Sequence, residues 1–202
     1  MPTRWYQEKK REHFYKQAKK DGYRARSAFK LKQIQNKFKI LKQRNVVIDL
    51  GAAPGGWSQV AREIVSDNGT VIGIDLLPIQ SIEGVTFLEG DMTDDNSINE
   101  IKNLMDNKQA DTILSDMSPD ISGNYSMDQA RSIYLCEQAF KTCNELLKPG
   151  GNFVCKVFVG EDFQEFFQKI KSNFQTVKQF SPSASRKTSS EIYIVAKSFK
   201  KA

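Results

Sequence analysis

Cysteine, histidine and long apolar runs are scarce in this sequence, and their scarcity excludes several classes of protein. Three cysteines and one histidine stand among 202 residues, no CxxC pair occurs, and the usual zinc-ligand spacing cannot be assembled. A disulfide framework and a bound metal are therefore not expected. No stretch approaches eighteen apolar residues, and the first residues lack the charged-then-apolar layout of a signal peptide. We expect a protein of the reducing cytoplasm that does not enter a membrane.

The composition is that of a folded chain with a sizeable core. Hydrophobic residues make up 39%, charged residues 27% and aromatic residues 10% of the sequence, which argues against disorder. A length of 202 residues fits one domain and leaves no room for a second large one. We predict a single domain over residues 1–202.

Positive charge is concentrated at the amino-terminal end. Residues 1–44 carry 15 Lys or Arg against three acids, a charge of +12, whereas residues 45–202 carry 15 against 21, a charge of −6. Such asymmetry indicates a polyanionic partner, although a solvated helix face would show the same charge. Seven aromatic residues are interleaved with these charges, and some of them must pack: Trp5, Tyr6, Phe14, Tyr15, Tyr23, Phe29 and Phe38.

Beyond residue 44, short apolar runs alternate with amphipathic stretches, which predicts an α/β fold with helices on both faces of a mostly parallel sheet. Seven strands are predicted over residues 46–50, 70–75, 85–88, 112–115, 152–159, 176–180 and 192–198. Helices are predicted over residues 57–65, 94–106, 127–147 and 162–171. No helix separates the last two strands, so they should form an antiparallel hairpin at the sheet edge. Residues 1–44 are interpreted as a basic extension of one or two helices lying on the sheet.

Candidate ligand-binding residues follow the predicted strands, where open α/β sheets bind their ligands. A loop of small residues, 49–57, follows the first strand and would let the backbone approach a ligand closely. Asp75, after the second strand, could accept hydrogen bonds from both ribose hydroxyls of a nucleoside cofactor. Asp91 and Met92, after the third, could bind an adenine amino group and pack against its ring. Asp116 follows the fourth.

The type of cofactor is indicated by the loop. Its three glycines do not reproduce G-x-G-x-x-G, and Pro54 interrupts the turn where a pyrophosphate would need amide donors, which argues against a nicotinamide dinucleotide. S-adenosylmethionine has no phosphate and carries an adenosine and a charged amino acid. The three acids Asp49, Asp75 and Asp91 suit that molecule.

These motifs resemble the FtsJ/RrmJ (RlmE) class of ribosomal RNA 2′-O-methyltransferases over nearly the whole chain. Residues Asp49–Gln59 resemble the cofactor loop of that family at every position. Later family motifs are matched by Asp75–Pro78, Gly90–Asp91 and Ser115–Met117. The resemblance implies a Rossmann-like, S-adenosylmethionine-dependent methyltransferase domain.

The resemblance also implies a catalytic tetrad of Lys30, Asp116, Lys156 and Glu191. Lys156 lies within an apolar strand and is our candidate for the base that removes the 2′-hydroxyl proton, since methyl transfer to a ribose requires proton removal and alignment. Lys30 and Glu191 would orient the ribose, and Asp116 would orient the lysine and the methyl donor. Taken singly, Lys156 could be a strand lysine paired with a carboxylate, Glu191 a solvated residue at the start of a strand, and Lys30 one of many basic helix residues.

Two further residue sets complete the predicted site. The predicted cofactor-binding residues are Asp49, Gly51, Ala52, Ala53, Pro54, Gly55, Gly56, Trp57, Asp75, Leu76, Asp91, Met92 and Asp116. The predicted RNA-binding residues are Arg24, Arg26, Arg186 and Lys187. The chain departs from many family members at Asp120, where they have Asn, and at Thr188 and Ser190, where some have Arg.

The implied function is ribose 2′-O-methylation of RNA. Because the chain resembles short members with little beyond the catalytic domain, we expect a uridine in the A-loop of 23S ribosomal RNA as substrate. Methylation of a tRNA anticodon loop is the nearest alternative, and a non-catalytic RNA-binding module on the same fold is an alternative of another class. We expect a cytoplasmic monomer whose partner is ribosomal RNA or the large ribosomal subunit.

Overall fold

The computed structural model describes residues 13–106, 108–185 and 190–200. Seven strands are present: β1 (Val46–Leu50), β2 (Thr70–Asp75), β3 (Thr86–Glu89), β4 (Ala110–Ser115), β5 (Leu147–Phe158), β6 (Phe174–Phe180) and β7 (Glu191–Phe199). The helices are α1 (residues 13–20), α2 (Ala28–Phe38), α3 (Gly56–Val65), α4 (Asp95–Leu104), α5 (Tyr125–Leu146) and α6 (Phe163–Asn173). No helix in these ranges is long and apolar enough to cross a bilayer.

The strands form one mixed sheet of order β3-β2-β1-β4-β5-β7-β6. β7 is antiparallel to both of its neighbours, β5 and β6, and the other neighbouring pairs are parallel. The predicted mostly parallel sheet with an antiparallel last strand is therefore confirmed. The β6–β7 hairpin also forms as predicted.

The antiparallel strand lies inside the sheet, a position that the sequence interpretation did not specify. α6 carries the chain past β5 and leaves β6 at the edge, and β7 fills the gap between them. The two strands differ in polarity: Tyr193, Ile194, Val195 and Ala196 of β7 are buried, whereas most of β6 is exposed. The more apolar strand thus occupies the interior position, since a central strand is covered on both faces.

Two apolar clusters cover the two faces of the sheet. Ile48 of β1 packs in the cluster formed with α4, α5 and α6, whereas the preceding residue, Val47, packs in the cluster formed with α2 and α3. Consecutive residues separate in this way because side chains alternate along a strand. Helices therefore cover both faces, as predicted.

The described part of the basic extension packs against the face covered by α3. Ala18 of α1 and Leu31 and Ile34 of α2 are buried there, and Phe14 packs against Phe29 with ring centroids 5.5 Å apart. Several of the interleaved aromatic residues thus hold the extension in place, and many of its lysines remain at the surface. Residues 1–12 lie outside the described ranges.

Candidate active site

The small-residue loop 49–57 turns sharply after β1 and approaches the neighbouring strand closely. Gly51 has φ +70°, and a Cβ there would lie 2.3 Å from the Cγ of Met117, so the position requires glycine. The amides of Gly51 and Ala52 donate to the carbonyl of Ile74 over 2.9 and 3.1 Å. Gly55, at φ +108°, precedes α3. The absence of side chains at these glycines lets Met117 and Ile82 pack directly against the loop backbone at the carboxyl edge of the sheet.

Arg24 braces this loop, a role that the sequence interpretation missed. Its Nη1 donates to the carbonyls of Pro54 (3.2 Å) and Gln80 (2.5 Å), and its Nη2 donates to the carbonyl of Ser81 (2.7 Å). The guanidinium therefore connects the loop after β1 with the segment after β2. An RNA contact of Arg24 stays a prediction, but the structure directs these donors into the protein.

The segment around Arg24 is fixed to the beginning of α3 by further hydrogen bonds. The amide of Arg24 donates to Oε1 of Gln59 over 2.9 Å, and Nε2 of Gln59 donates to the carbonyl of Gly22 over 3.0 Å. Nε1 of Trp57 donates to the carbonyl of Ser27 over 2.9 Å. Trp57, predicted to contact the cofactor, is buried and joins the amino-terminal segment to the loop.

Of the other predicted RNA-binding residues, the structure describes Arg26 but not Arg186 and Lys187. Arg26 is half-buried in the turn before α2, where its carbonyl accepts a hydrogen bond from the amide of Phe29. Arg186 and Lys187 lie outside the described residues, so their predicted contact with RNA stays a prediction.

The acids after β2 and β3 organise their own turns. Oδ2 of Asp75 accepts from the amide of Ala53, and its Oδ1 from the amide of Leu77, each over 2.9 Å. Oδ1 of Asp91 accepts from both the amide and the hydroxyl of Thr93 over 2.8 Å. A carboxylate oxygen has two lone pairs, so both acids keep acceptor capacity for a ligand.

The apolar neighbours of these acids differ in exposure. Leu76 is 68% exposed at the sheet edge, whereas Met92 is buried between β3 and α4. Leu76 therefore offers free apolar surface beside Asp75, and Met92 belongs to the core beneath Asp91.

Asp49 is the most deeply buried acid of the site. Its Oδ2 accepts a hydrogen bond from the hydroxyl of Ser58 over 2.6 Å, while its Oδ1 has no partner among the described residues. Burial raises the pKa of Asp49 to about 7, and the nearby charges of Asp116 and Asp75 act in the same direction, against the effect of Ser58. An unpaired buried acceptor is unfavourable, so Oδ1 is suited to receive a donor from a ligand.

The four residues of the predicted tetrad meet at the carboxyl edge of the sheet. Nζ of Lys30, from α2, lies 2.5 Å from Oε1 of Glu191, and both side chains are largely buried. Nζ of Lys156, from β5, lies 3.3 Å from Oδ1 of Asp116 and donates to the carbonyl of Asp116 over 2.6 Å. Two lysines and two carboxylates from distant parts of the chain therefore form two ion pairs.

Tyr193 joins the two pairs, and sequence reasoning missed it. Its hydroxyl donates to Oδ1 of Asp116 over 2.6 Å and lies 3.4 Å from Oε1 of Glu191. Tyr193 faces the same side of β7 as Glu191, two residues earlier, and it is the register partner of Lys156 on β5. The spacing of two residues between Glu191 and Tyr193 was the signal from which the sequence could have identified Tyr193. Burial and the two neighbouring carboxylates raise the pKa of Tyr193, which keeps the phenol a neutral donor.

The ionisation of Glu191 is set by its neighbours. Burial alone would raise its pKa, but the charge and hydrogen bond of Lys30, the charge of Lys156 and the hydroxyl of Ser185 together hold that pKa below its usual range. Glu191 is therefore a carboxylate at neutral pH. The site presents charged and polar groups beside the glycine-rich loop, an arrangement that can orient a hydroxyl and remove its proton.

A sheet of this order, with an antiparallel β7 and a glycine-rich turn after β1, is the Rossmann-like fold of S-adenosylmethionine-dependent methyltransferases. Within that class, the model of the FtsJ-like methyltransferase family matches residues 23–199. The chain belongs to this family.

Individual relatives agree with that assignment. A protein of Methanosarcina acetivorans named ribosomal RNA large subunit methyltransferase E is 47% identical over 190 residues, 94% of this chain and 69% of the relative. A protein of the same name from Marinobacter nauticus is 44% identical over 198 residues, 98% of this chain and 96% of the relative.

Two solved structures are also similar. A Plasmodium falciparum protein described as a ribosomal RNA methyltransferase is 30% identical, with a TM-score of 0.80 over 89% of this chain and 100% of that one. A Streptococcus mutans protein solved with S-adenosylhomocysteine is 14% identical, with a TM-score of 0.53 over 80% of this chain and 90% of that one. The latter likeness shows the fold alone.

We predict that Tyr193→Phe lowers the free energy of unfolding by about 1 kcal/mol, because Asp116 loses a donor in a largely buried site. Tyr23→Phe is the matched control: Tyr23 also donates to a carboxylate, Glu63, but that side chain is 49% exposed and water can replace the phenol. Urea denaturation measures both variants. A loss for Tyr193→Phe no larger than the loss for Tyr23→Phe would contradict the bridging role.

Proposed function

We propose that this protein is an S-adenosylmethionine-dependent methyltransferase that modifies the 2′-hydroxyl of a uridine in the A-loop of large-subunit ribosomal RNA. The observation that carries the proposal is the pair of lysine–carboxylate contacts joined by Tyr193 beside the glycine-rich loop. The names of the relatives from Methanosarcina and Marinobacter support large-subunit ribosomal RNA as the substrate.

The residues around the loop fit S-adenosylmethionine, which supplies an activated methyl group when bound. The free Oδ1 of Asp49 suits the ammonium of the amino-acid part, and Asp75 suits the ribose hydroxyls. Asp91 suits the adenine amino group, and the exposed Leu76 suits the face of its ring. The proline at position 54 has no amide hydrogen to offer a phosphate, in keeping with a cofactor that has none. We assign the remaining residues of the loop to backbone contacts with the cofactor.

Lys156 is our candidate for the general base. Its amine is held by the carboxylate and the carbonyl of Asp116, and its side chain is 8% exposed, so water competes little for it. In the proposed reaction, Lys156 reacts as the neutral amine left after its ammonium has released a proton to solvent, and Nζ takes the proton of the ribose 2′-hydroxyl as the oxygen gains the methyl group. The side chains of Lys30 and Glu191, fixed to each other, orient the ribose, and Asp116 orients the amine.

A defined assay tests the proposal. The protein is incubated with a labelled methyl donor and, separately, with unmodified 23S ribosomal RNA, large subunits and tRNA, and the RNA is digested to nucleosides. The expected product is 2′-O-methyluridine from the A-loop. A base-methylated product, or label in tRNA alone, would overturn the assigned reaction or substrate, and no transfer to any RNA would favour a non-catalytic module.

Lys156→Ala should lower the single-turnover rate at least about a hundredfold, the low end for loss of a general base, and leave cofactor and RNA affinity nearly unchanged. Rapid-quench measurement at saturating substrates gives the rate, and calorimetry gives the affinities. A variant that keeps more than a tenth of the wild-type rate would make Lys156 a structural lysine.

The pKa of Asp49, near 7, predicts a pH-dependent cofactor affinity. Because the ammonium of the cofactor pairs with the ionised carboxyl, S-adenosylmethionine should bind roughly tenfold more tightly at pH 8 than at pH 6, as the ionised fraction of Asp49 rises. Asp49→Asn, of nearly equal size, should bind more weakly and lose this dependence. Calorimetry between about pH 6 and pH 8 measures the cofactor affinity of the wild type and of Asp49→Asn. If the affinities of both proteins change with pH in parallel, Asp49 does not bind the cofactor.

RNA and cofactor binding should depend on different basic residues of the extension. Lys19 and Lys20 are exposed on α1, so replacing both with Ala should weaken RNA binding, lower its salt slope by about 1 to 2, and spare the cofactor. Arg24→Ala should instead weaken S-adenosylmethionine binding roughly tenfold, because the loops after β1 and β2 lose their brace. Calorimetry and RNA titrations at several salt concentrations measure both effects. Equal loss of the two ligands in both variants would contradict this division.

A further inference from the structure

An aromatic side chain lies exposed close to the tetrad, and neither the fold nor the mechanism uses it. Tyr125, the first residue of α5, is 63% exposed. Its hydroxyl donates to the carbonyl of Val159 over 3.2 Å. The hydrogen bond fixes one end of the side chain, and most of its surface stays in contact with water.

The position of Val159 places Tyr125 at the rim of the tetrad. Val159 directly follows β5, three residues after Lys156. Its amide donates to the carbonyl of Ser190 over 3.0 Å, and Ser190 precedes Glu191. Tyr125 is therefore hydrogen-bonded to the backbone just beyond Phe158, the register partner of Glu191, at the carboxyl end of β5.

The loop that leads from Asp116 to Tyr125 is held by its own hydrogen bonds. Oδ1 of Asp128 accepts from the amide and the hydroxyl of Ser122 over 2.9 and 2.7 Å, and Oδ2 accepts from the amide of Gly123 over 3.3 Å. The side chain of Asn124 caps α5 at the amide of Met127. Tyr125 is thus presented on a supported helix end, which lowers the entropy lost when a ligand binds.

The chemistry of this surface fits a nucleobase. An aromatic side chain usually buries a large area, and single-stranded RNA is commonly bound by stacking its bases on exposed aromatic rings. Ile121 and Met127, in the same loop and helix end, are exposed apolar residues as well. A ribose placed at the tetrad would carry its neighbouring nucleotides out over this rim.

We propose that Tyr125 is a stacking platform for the base of a nucleotide next to the one that is methylated. The inference rests on the proposed RNA substrate and adds a binding position to it. Stacking on Tyr125 would splay the strand beside the target and so present the 2′-hydroxyl to the tetrad.

Three variants distinguish the effect of the Tyr125 ring from the effect of its hydroxyl and from the effect of removing any exposed tyrosine. Tyr125→Ala should raise the KM for RNA at least about fivefold, the low end for loss of one stacked base, without changing the affinity for S-adenosylmethionine. The salt slope should stay constant, since no phosphate contact is lost. Tyr125→Phe should keep a nearly wild-type KM. Tyr134→Ala, which removes a tyrosine 58% exposed farther along α5, should leave KM unchanged.

A photochemical measurement complements the kinetics. It uses the wild-type protein, so its result does not depend on whether a variant folds. RNA carrying 5-iodouridine beside the target nucleotide is irradiated in complex with the protein, and the cross-linked residue is located by mass spectrometry. A cross-link at Tyr125 is expected. A cross-link elsewhere, or an unchanged KM for Tyr125→Ala in a wild-type enzyme that does methylate RNA, would overturn this inference alone. A wild-type protein that methylates no RNA would instead overturn the proposed function.

Discussion

Two lysines buried at one edge of the sheet must each be matched by a carboxylate, and much of the architecture serves that requirement. An unpaired buried charge is strongly unfavourable, so Lys30 requires Glu191 and Lys156 requires Asp116. These partners are 161 and 40 residues apart in sequence. The antiparallel β7 brings Glu191 to the carboxyl end of β5, and α2 lies over the same face of the sheet. Tyr193 connects both pairs.

The amino-terminal extension combines two kinds of basic residue. Lys19 and Lys20 of α1 are exposed, whereas Arg24 is bound to backbone carbonyls of the loops after β1 and β2. Lys30, on α2, belongs to the tetrad. Under the proposed function, one segment therefore offers charge to the RNA, supports the loop after β1 and supplies Lys30 to the tetrad, so that RNA binding and methyl transfer would be physically connected.

The fold was largely predictable because strands and helices alternate in the sequence with clear apolar periods, and the hairpin of β6 and β7 followed from the short connection between them. The interior position of β7 was not predictable from that connection, since either strand could have taken the edge. Tyr193 escaped notice because a tyrosine in an apolar strand usually packs in a core. Arg24 was interpreted as an RNA contact because its charge is visible in sequence, whereas the carbonyls that bind it come from loops 30 to 57 residues away.

The central claim is that the protein methylates one ribose of ribosomal RNA at an active site formed by the four charged residues that Tyr193 joins. The most direct test maps 2′-O-methyl groups across all RNA in cells that lack the protein, in cells that regain it, and in cells that express Lys156→Ala. We expect one uridine methylation in the A-loop to disappear without the protein, to return with the wild-type protein, and to stay absent with the variant. If no 2′-O-methyl group is missing from the RNA of cells that lack the protein, or if Lys156→Ala restores the methyl group, the proposed function is contradicted.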